Sequence, residues 1–262
     1  MEKLRITSVR FTKYKAFKNF QISLQDFNVL VGPNNAGKST IISAVRILAE
    51  GLRRARAKSA EPVDVAGHTG WGYRLNIAEL PIASENIFYD YDDSIPAQVS
   101  FRLSNGNHLK LHFPEQGVCY LIPESRGRIP RTPSQFKADF DVDIGFVPIL
   151  GPVEQRERLF EKEAARLALL AAGASRNFRN IWYHYPEGFN GFRELVQVTW
   201  PSMDILPPER AGDGRELAMF CPEGRYPREL CWAGYGFQVW CQMLTHIVKA
   251  KAASLLVIDE PD

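Results

Sequence analysis

The chain has 262 residues, 45% of them hydrophobic and 24% charged, with a formal net charge of +2. That is enough for one large domain or two small ones of ordinary globular composition, and too weakly charged for a whole-chain polycation, so a nucleic-acid contact requires a local patch. No run of 18 apolar residues is present, and the N-terminus lacks the apolar core of a signal peptide, which predicts a cytoplasmic protein with no membrane partner.

Residues 5–11 and 21–24 read as strands. The run Phe27-Asn28-Val29-Leu30-Val31 reads as a buried strand ended by Gly32-Pro33. Gly32-Pro33-Asn34-Asn35-Ala36-Gly37-Lys38-Ser39 then fits G-x-x-x-x-G-K-[ST], with Thr40 following. Glycines let such a loop curl so that its backbone N–H groups face phosphates, and a helix N-terminus adds positive potential. Lys38 has the reach for β- and γ-phosphates, and the Ser39 hydroxyl suits Mg2+. Ile41, Ile42, Val45, Leu48, Ala49 and Leu52 recur at three- and four-residue steps, predicting a helix from Lys38 to about Ala57.

Residues 58–73 read as a polar loop. Residues 99–103 and 109–113 alternate around Asn105-Gly106, a hairpin signal, and 118–122 adds a strand. A loop over 124–137 and an apolar strand over 144–150 follow. Residues 154–183 read as mostly helical with room for a break near Gly173, 189–200 as a second helix, and 217–220 with 228–232 as a hairpin. A helix over 237–250 precedes a buried strand at 255–258 that ends in Asp259 and Glu260. Beside a P-loop, Asp259 suits Mg2+ and Glu260 suits polarising the attacking water. The order predicts an α/β P-loop fold with a β-rich N-terminal lobe over 1–150, a helical insertion over 151–215 and a return to the core over 216–262.

Cys119, Cys221, Cys231 and Cys241 form no C-x-x-C pair and read as buried thiols. Arg46, Arg53, Arg54, Arg56 and Lys58, then Arg126, Arg128 and Arg131, then Arg176 and Arg179, form basic clusters. Each reads first as a solvated face and second as a DNA-phosphate contact. The aromatic run 181–185 reads as core or partner surface before base stacking, and His246 as a core or surface histidine.

Three segments together carry a family resemblance. The loop G-P-N-N-A-G-K-S, the upstream Lys13-Tyr14-Lys15-Ala16-Phe17-Lys18-Asn19-Phe20 and the downstream Leu256-Val257-Ile258-Asp259-Glu260-Pro261-Asp262 resemble the motifs of RecF-like, structural-maintenance-of-chromosomes-like and overcoming-lysogenisation-defect-like ATPase heads of ABC type. The resemblance implies ATP and Mg2+ as cofactors, and a homodimer closing around ATP to drive a DNA-associated or nuclease module. It implies Lys15 as a phosphate contact, with a solvated strand lysine as the alternative. Gln155 is its candidate for the glutamine near Mg2+ and the lytic water, with a surface glutamine as the alternative. Gly234 is its candidate for the signature turn that meets the partner's nucleotide, although Ala233 stands where a serine is expected. With no coiled coil between P-loop and signature, the chain looks closest to the compact branch. Relatives continue beyond the D-E motif, so the resemblance implies that the C-terminal part of the head lies outside this sequence.

Overall fold

Apolar residues alternate with polar ones at Val9 and Phe11, at Val99 and Phe101, and at Leu109 and Leu111, and this period of two sends the first half of the chain into sheet. The computed structural model of the protein describes residues 3–65, 68–77, 86–147, 150–168, 174–224, 226–250 and 253–258. It divides into a first unit, Met1–Ile144 with Ala253–Leu255, and a second, Gly145–Ala252 with Leu256–Asp262.

In the first unit, β1 (Ile6–Tyr14) and β2 (Phe17–Ser23) precede α1 (Lys38–Ala57). Then come β3 (Glu61–Val65), β4 (His68–Leu75), β5 (Ala97–Leu103), β6 (His108–Phe113), β7 (Cys119–Glu124) and α2 (Pro133–Asp139). The strands form one antiparallel sheet ordered β2-β1-β5-β6-β7-β4-β3. Phe11, Val99, Leu111 and Leu121 lie in one row across four strands, all fully buried. Ala44, Ile47, Leu48, Leu52 and Ala55 form the buried face of α1. Gly51 makes the close approach possible, since a Cβ there would lie 3.0 Å from Leu121 Cδ2.

The second unit takes in nearly all of β8 (Ile144–Val147), then β9 (Glu157–Arg158), α3 (Lys162–Ala168), α4 (Phe178–His184) and α5 (Phe189–Thr199). Next are β10 (Glu209–Ala211), β11 (Glu216–Ala218), β12 (Phe220–Glu223), β13 (Tyr226–Glu229), α6 (Tyr235–Lys249) and β14 (Leu255–Ile258), which pairs with β8. Its core gathers Phe178, Trp182, Phe189, Phe192, Phe237, Cys241 and Leu244. Trp182 stacks on Phe192 at 4.8 Å and donates its indole N–H to Thr245 Oγ1 at 2.9 Å, so the aromatic run serves the core.

Four sequence expectations need correction. Phe27, Val29 and Val31 are 83%, 67% and 88% exposed and lie in no strand. An apolar run becomes a buried strand only when neighbours pair its edges, and none does among the described residues. The expected loop 58–73 holds the β3–β4 hairpin, whose Val63 side chain is buried. The expected loop 124–137 holds the start of α2, whose N-cap Thr132 accepts from the Gln135 amide with Pro133 at the first turn. The expected helix over 154–183 is broken, because Glu157 enters β9 and pairs with Leu217 of β11. Tertiary pairing there overrides helix propensity. Cys119, Cys221 and Cys241 are buried and free, as expected, whereas Cys231 is free but only half-buried.

His246, on α6, is buried, and burial pushes its imidazole down to about 4, with a hydrogen bond to the Phe146 backbone pulling weakly the other way. The folded pKa is below the unfolded value, so this contribution to stability is complete above about pH 6.5 and is lost as pH falls toward 4. His246→Leu should flatten the fall in melting temperature over that window, read by calorimetry from pH 7 down; an unchanged slope would remove His246 from the acid response.

Candidate nucleotide site

The first unit builds the phosphate loop from two backbone kinks and one lysine. Asn35 and Gly37 adopt left-handed conformations, with φ of 67° and 91°. The Ala36 amide closes a turn on the Pro33 carbonyl at 3.2 Å. Thr40 and Ile41 donate to the Gly37 carbonyl, which starts α1, so the amides of Gly37, Lys38 and Ser39 precede the first intrahelical bond. The first turn of α1 carries no acidic residue that would oppose an anion. The Lys38 amine curls back over the loop to the Gly32 carbonyl and, at 3.1 Å, to the Pro33 carbonyl. Asn34, Asn35, Ala36 and Ser39 are exposed, and Thr40 is buried in the helix seat.

The β1–β2 turn is fastened to this loop. Phe17 lies over Gly37 so closely that a Cβ on Gly37 would sit 2.4 Å from the ring. Tyr14 shares a 3.5 Å hydrogen bond with Ser43 of α1. Between them Lys15 holds a left-handed φ of 47°, costly for a non-glycine residue, and its amide donates to the Ile87 carbonyl at 2.7 Å. Partial burial lowers its ammonium pKa. The turn is thus set beside the loop with its cation partly desolvated. The exposed loop residues and the helix N-terminus, with Lys38 folded over them, fit a polyphosphate.

The second unit contains the other two candidates. Gln155 is exposed in a strap between β8 and β9. Gly234 is the N-cap of α6, with no side-chain cap and nothing within 4 Å of the place a Cβ would occupy. Gln238 joins the two segments: its Oε1 accepts from the Val153 amide at 3.0 Å, and its Nε2 donates to the Ala233 carbonyl at 2.8 Å and the Cys231 carbonyl at 3.2 Å. Gln242 adds a 2.6 Å bond to the Gly151 carbonyl. Asp259 and Glu260 lie outside the described residues.

A family described as an AAA domain, putative AbiEii toxin, Type IV TA system matches residues 27–262. The chain belongs to this AAA-domain family. No curated protein matches. Among solved structures, the recombination mediator protein RecF-ATPrS in the RecFOR pathway is similar with a TM-score of 0.57, at 9% identity over 99% of this chain and 86% of that one. The RecF-ATP structure of the same protein gives 0.50 at 9% identity over 98% and 86%. An SmcHead bound to the C-winged helix domain of ScpA gives 0.39 at 14% identity over 98% and 90%. The AAA domain therefore has the mixed α/β fold of a P-loop ATPase head with a large antiparallel sheet.

Several side chains of this AAA domain escaped the sequence reading. Phe17 was visible only as part of a motif, and nothing in its spacing said that it would press on Gly37. Gln238 and Gln242 are polar residues on the buried face of an apolar helix, and that mismatch was the readable signal. Of the clustered basic residues only Arg179 is buried, and the others are exposed or half-buried, several of them paired. Arg56 pairs with Asp141 and Asp143, Arg53 with Glu50, and Arg131 stacks on Trp71 at 4.2 Å. Arg179 is fully buried between Glu157 and Glu229, which removes it from any DNA-facing patch. No helix among the described residues is long and apolar enough to cross a membrane.

Gly37→Ala combines a forbidden φ with a collision against Phe17, so it should cost about 1–3 kcal/mol and weaken nucleotide binding. Chemical denaturation with a fluorescent-nucleotide titration checks this; a variant as stable and as tight as the parent would show that Phe17 does not constrain the loop.

Proposed function

We propose that this chain is the nucleotide-binding head of an ATPase that closes as a dimer around ATP and so drives a DNA-associated or nuclease module. One observation carries the reading: the loop from Gly32 to Ser39 has left-handed kinks, amides that lead into a helix and a lysine folded back over its carbonyls at the start of a 20-residue helix, in a chain of the AAA-domain family. RecF, whose fold it shares, is named as a recombination mediator and is solved with ATP, which supports nucleotide binding here and a link to DNA.

In this reading the Gly37, Lys38 and Ser39 amides orient the phosphates. Lys38 exchanges the Gly32 and Pro33 carbonyls for β- and γ-phosphate oxygens, and Lys15 adds a second cation from the β1–β2 turn. Ser39, Asp259 and Gln155 would hold Mg2+, which would supply charge neutralisation on the transferred phosphoryl group. Glu260 accepts the proton of the attacking water. Gly234 offers its helix N-terminus to the nucleotide of a second copy.

Ala233 favours a second reading, a sensing module that binds ATP, turns it over very slowly and gates a partner effector. Losing a serine hydroxyl at that turn forgoes one hydrogen bond to a charged acceptor, about 1.5–3 kcal/mol. Single-turnover hydrolysis by the full-length protein separates the two readings.

Lys38→Ala should weaken ATP binding at least about tenfold, the loss of about 1.4 kcal/mol or more. Glu260→Gln should bind ATP, stop hydrolysis and accumulate dimers in sedimentation. Monomers at saturating ATP in the Glu260→Gln protein would rule out the closing dimer, and undiminished affinity in Lys38→Ala would move the nucleotide elsewhere.

A further inference from the structure

The two-residue loop that joins β1 to β2 has unfavourable residues for its shape. Lys15 and Ala16 close the hairpin between the paired Tyr14 and Phe17, and Lys15 takes a left-handed φ of 47°. Such positions favour glycine, asparagine or aspartate, because a larger side chain is strained there. Lys13, two residues earlier, is left-handed as well, with φ of 53°. The segment that packs on this hairpin repeats the feature, since Asp90 and Tyr91 have φ of 53° and 58°. Six non-glycine residues among the described ones have positive φ, and these two touching segments hold four of them. Strain of this kind persists only where the surrounding structure over-determines it, and it gathers at functional sites.

Burial and pairing do that here. The Lys15 amide donates to the Ile87 carbonyl at 2.7 Å, and Tyr14 and Phe88 form an antiparallel bridge. Tyr14, Ile87 and Phe88 are buried, and the Tyr14 ring lies 5.5 Å from that of Phe113, which seats the hairpin on the sheet. Beyond Phe88 the chain turns tightly, with the Tyr91 amide donating to the Phe88 carbonyl and the Asp92 amide to the Tyr89 carbonyl, both at 3.2 Å. That turn reaches back to β1. The Lys13 ammonium lies over the Tyr89 ring, 5.7 Å from its centre. The Ser94 hydroxyl and amide, and then the charge of Lys13, hold the Asp92 carboxyl below its usual range.

The residue held at the tip of this arrangement is a lysine. Lys15 is half-buried, burial lowers its ammonium pKa, and no carboxylate among the described residues offsets that cost. A turn chosen for shape alone has better residues available; a turn that must present a cation does not.

We propose that the segment Ile87–Asp92 is a positioning clasp, which holds the strained β1–β2 turn in one conformation and so presents the Lys15 ammonium, already oriented, to a phosphate of the nucleotide seated in the Gly32–Ser39 loop. The proposal rests on the ATPase-head reading above. Fixing the backbone beforehand removes part of the ordering cost of binding. Phe17, pressed on Gly37, fixes the same hairpin from the loop side.

Lys15→Gly suits the left-handed backbone and removes the cation. The full-length Lys15→Gly protein should melt no lower than the parent and bind a fluorescent ATP analogue more weakly, by roughly tenfold for one charge-assisted contact. Tyr89→Leu with Asp92→Asn keeps most of the clasp's bulk and releases Lys13. This pair should weaken binding by part of that factor, and should add nothing in the Lys15→Gly background, where there is no ammonium to position. Asp92→Asn alone, at an exposed site, carries the test should the pair fail to fold. An equal loss in both backgrounds would mark the clasp as structural only, and no loss in the parent background would remove it; either overturns the proposal. So does a Lys15→Gly protein that melts lower than the parent. Nucleotide binding lost in Lys38→Ala but undiminished in Lys15→Gly overturns the clasp and leaves the ATPase reading standing. A parent protein that binds no nucleotide overturns both.

Discussion

The contact of Phe17 on Gly37 is the constraint on which the rest of the first unit's candidate site depends. Gly37 must have a positive φ to swing the chain from loop into helix, and it must lack a side chain because the ring occupies that space. The same ring belongs to a stacked aromatic group with Phe20 at 4.5 Å and Phe11 at 5.2 Å, so the loop rests on the hydrophobic edge of the sheet. The β1–β2 turn cannot shift without moving the helix start, and Lys15 is carried wherever that turn goes. Sheet, turn, loop and helix are thereby held together by this packing as well as by the hydrogen bonds of Tyr14 with Ser43 and of Lys38 with the Gly32 and Pro33 carbonyls.

Much of this was legible in the sequence. The helix of α1, the Asn105-Gly106 hairpin and the helix of α6 follow from period and turn chemistry, which are local. The P-loop was legible because its chemistry demands residue types at fixed spacing. The β3–β4 hairpin and the start of α2 rest on local pairing and capping that the loop readings passed over, whereas the other failures turned on partners distant in the chain. Residues 154–183 are rich in helix formers, and their break comes from the pairing of Glu157 with Leu217 and from a guanidinium that seeks two carboxylates. The exposed state of Phe27, Val29 and Val31 is equally unreadable, since a run of apolar residues does not say which strands flank it. Arg179 looked like surface because isolated arginines usually are; only the positions of Glu157 and Glu229 turn it inward.

The two carboxylates that flank Arg179 answer their surroundings differently. Burial pushes the Glu157 carboxyl up against the pull of three donors and the guanidinium. Burial opposes ionisation at Glu229 as well, yet the Cys231 and Met219 amides and Arg179 hold it below the usual carboxylate range. Glu229 is thus the firmer anion and the better anchor for the turn, which fits its place as the side-chain cap of the short helical turn at Leu230–Trp232.

Trp232 follows directly from that cap and is 70% exposed, two residues ahead of Gly234. The protein has five tryptophans, and Trp182 is sealed in the core while Trp200 is 38% exposed. An indole in water emits at longer wavelength than one in a dry interior, so the red edge of this protein's intrinsic fluorescence belongs chiefly to the ring beside the turn at Gly234. The molecule carries its own optical reporter there, with no label required.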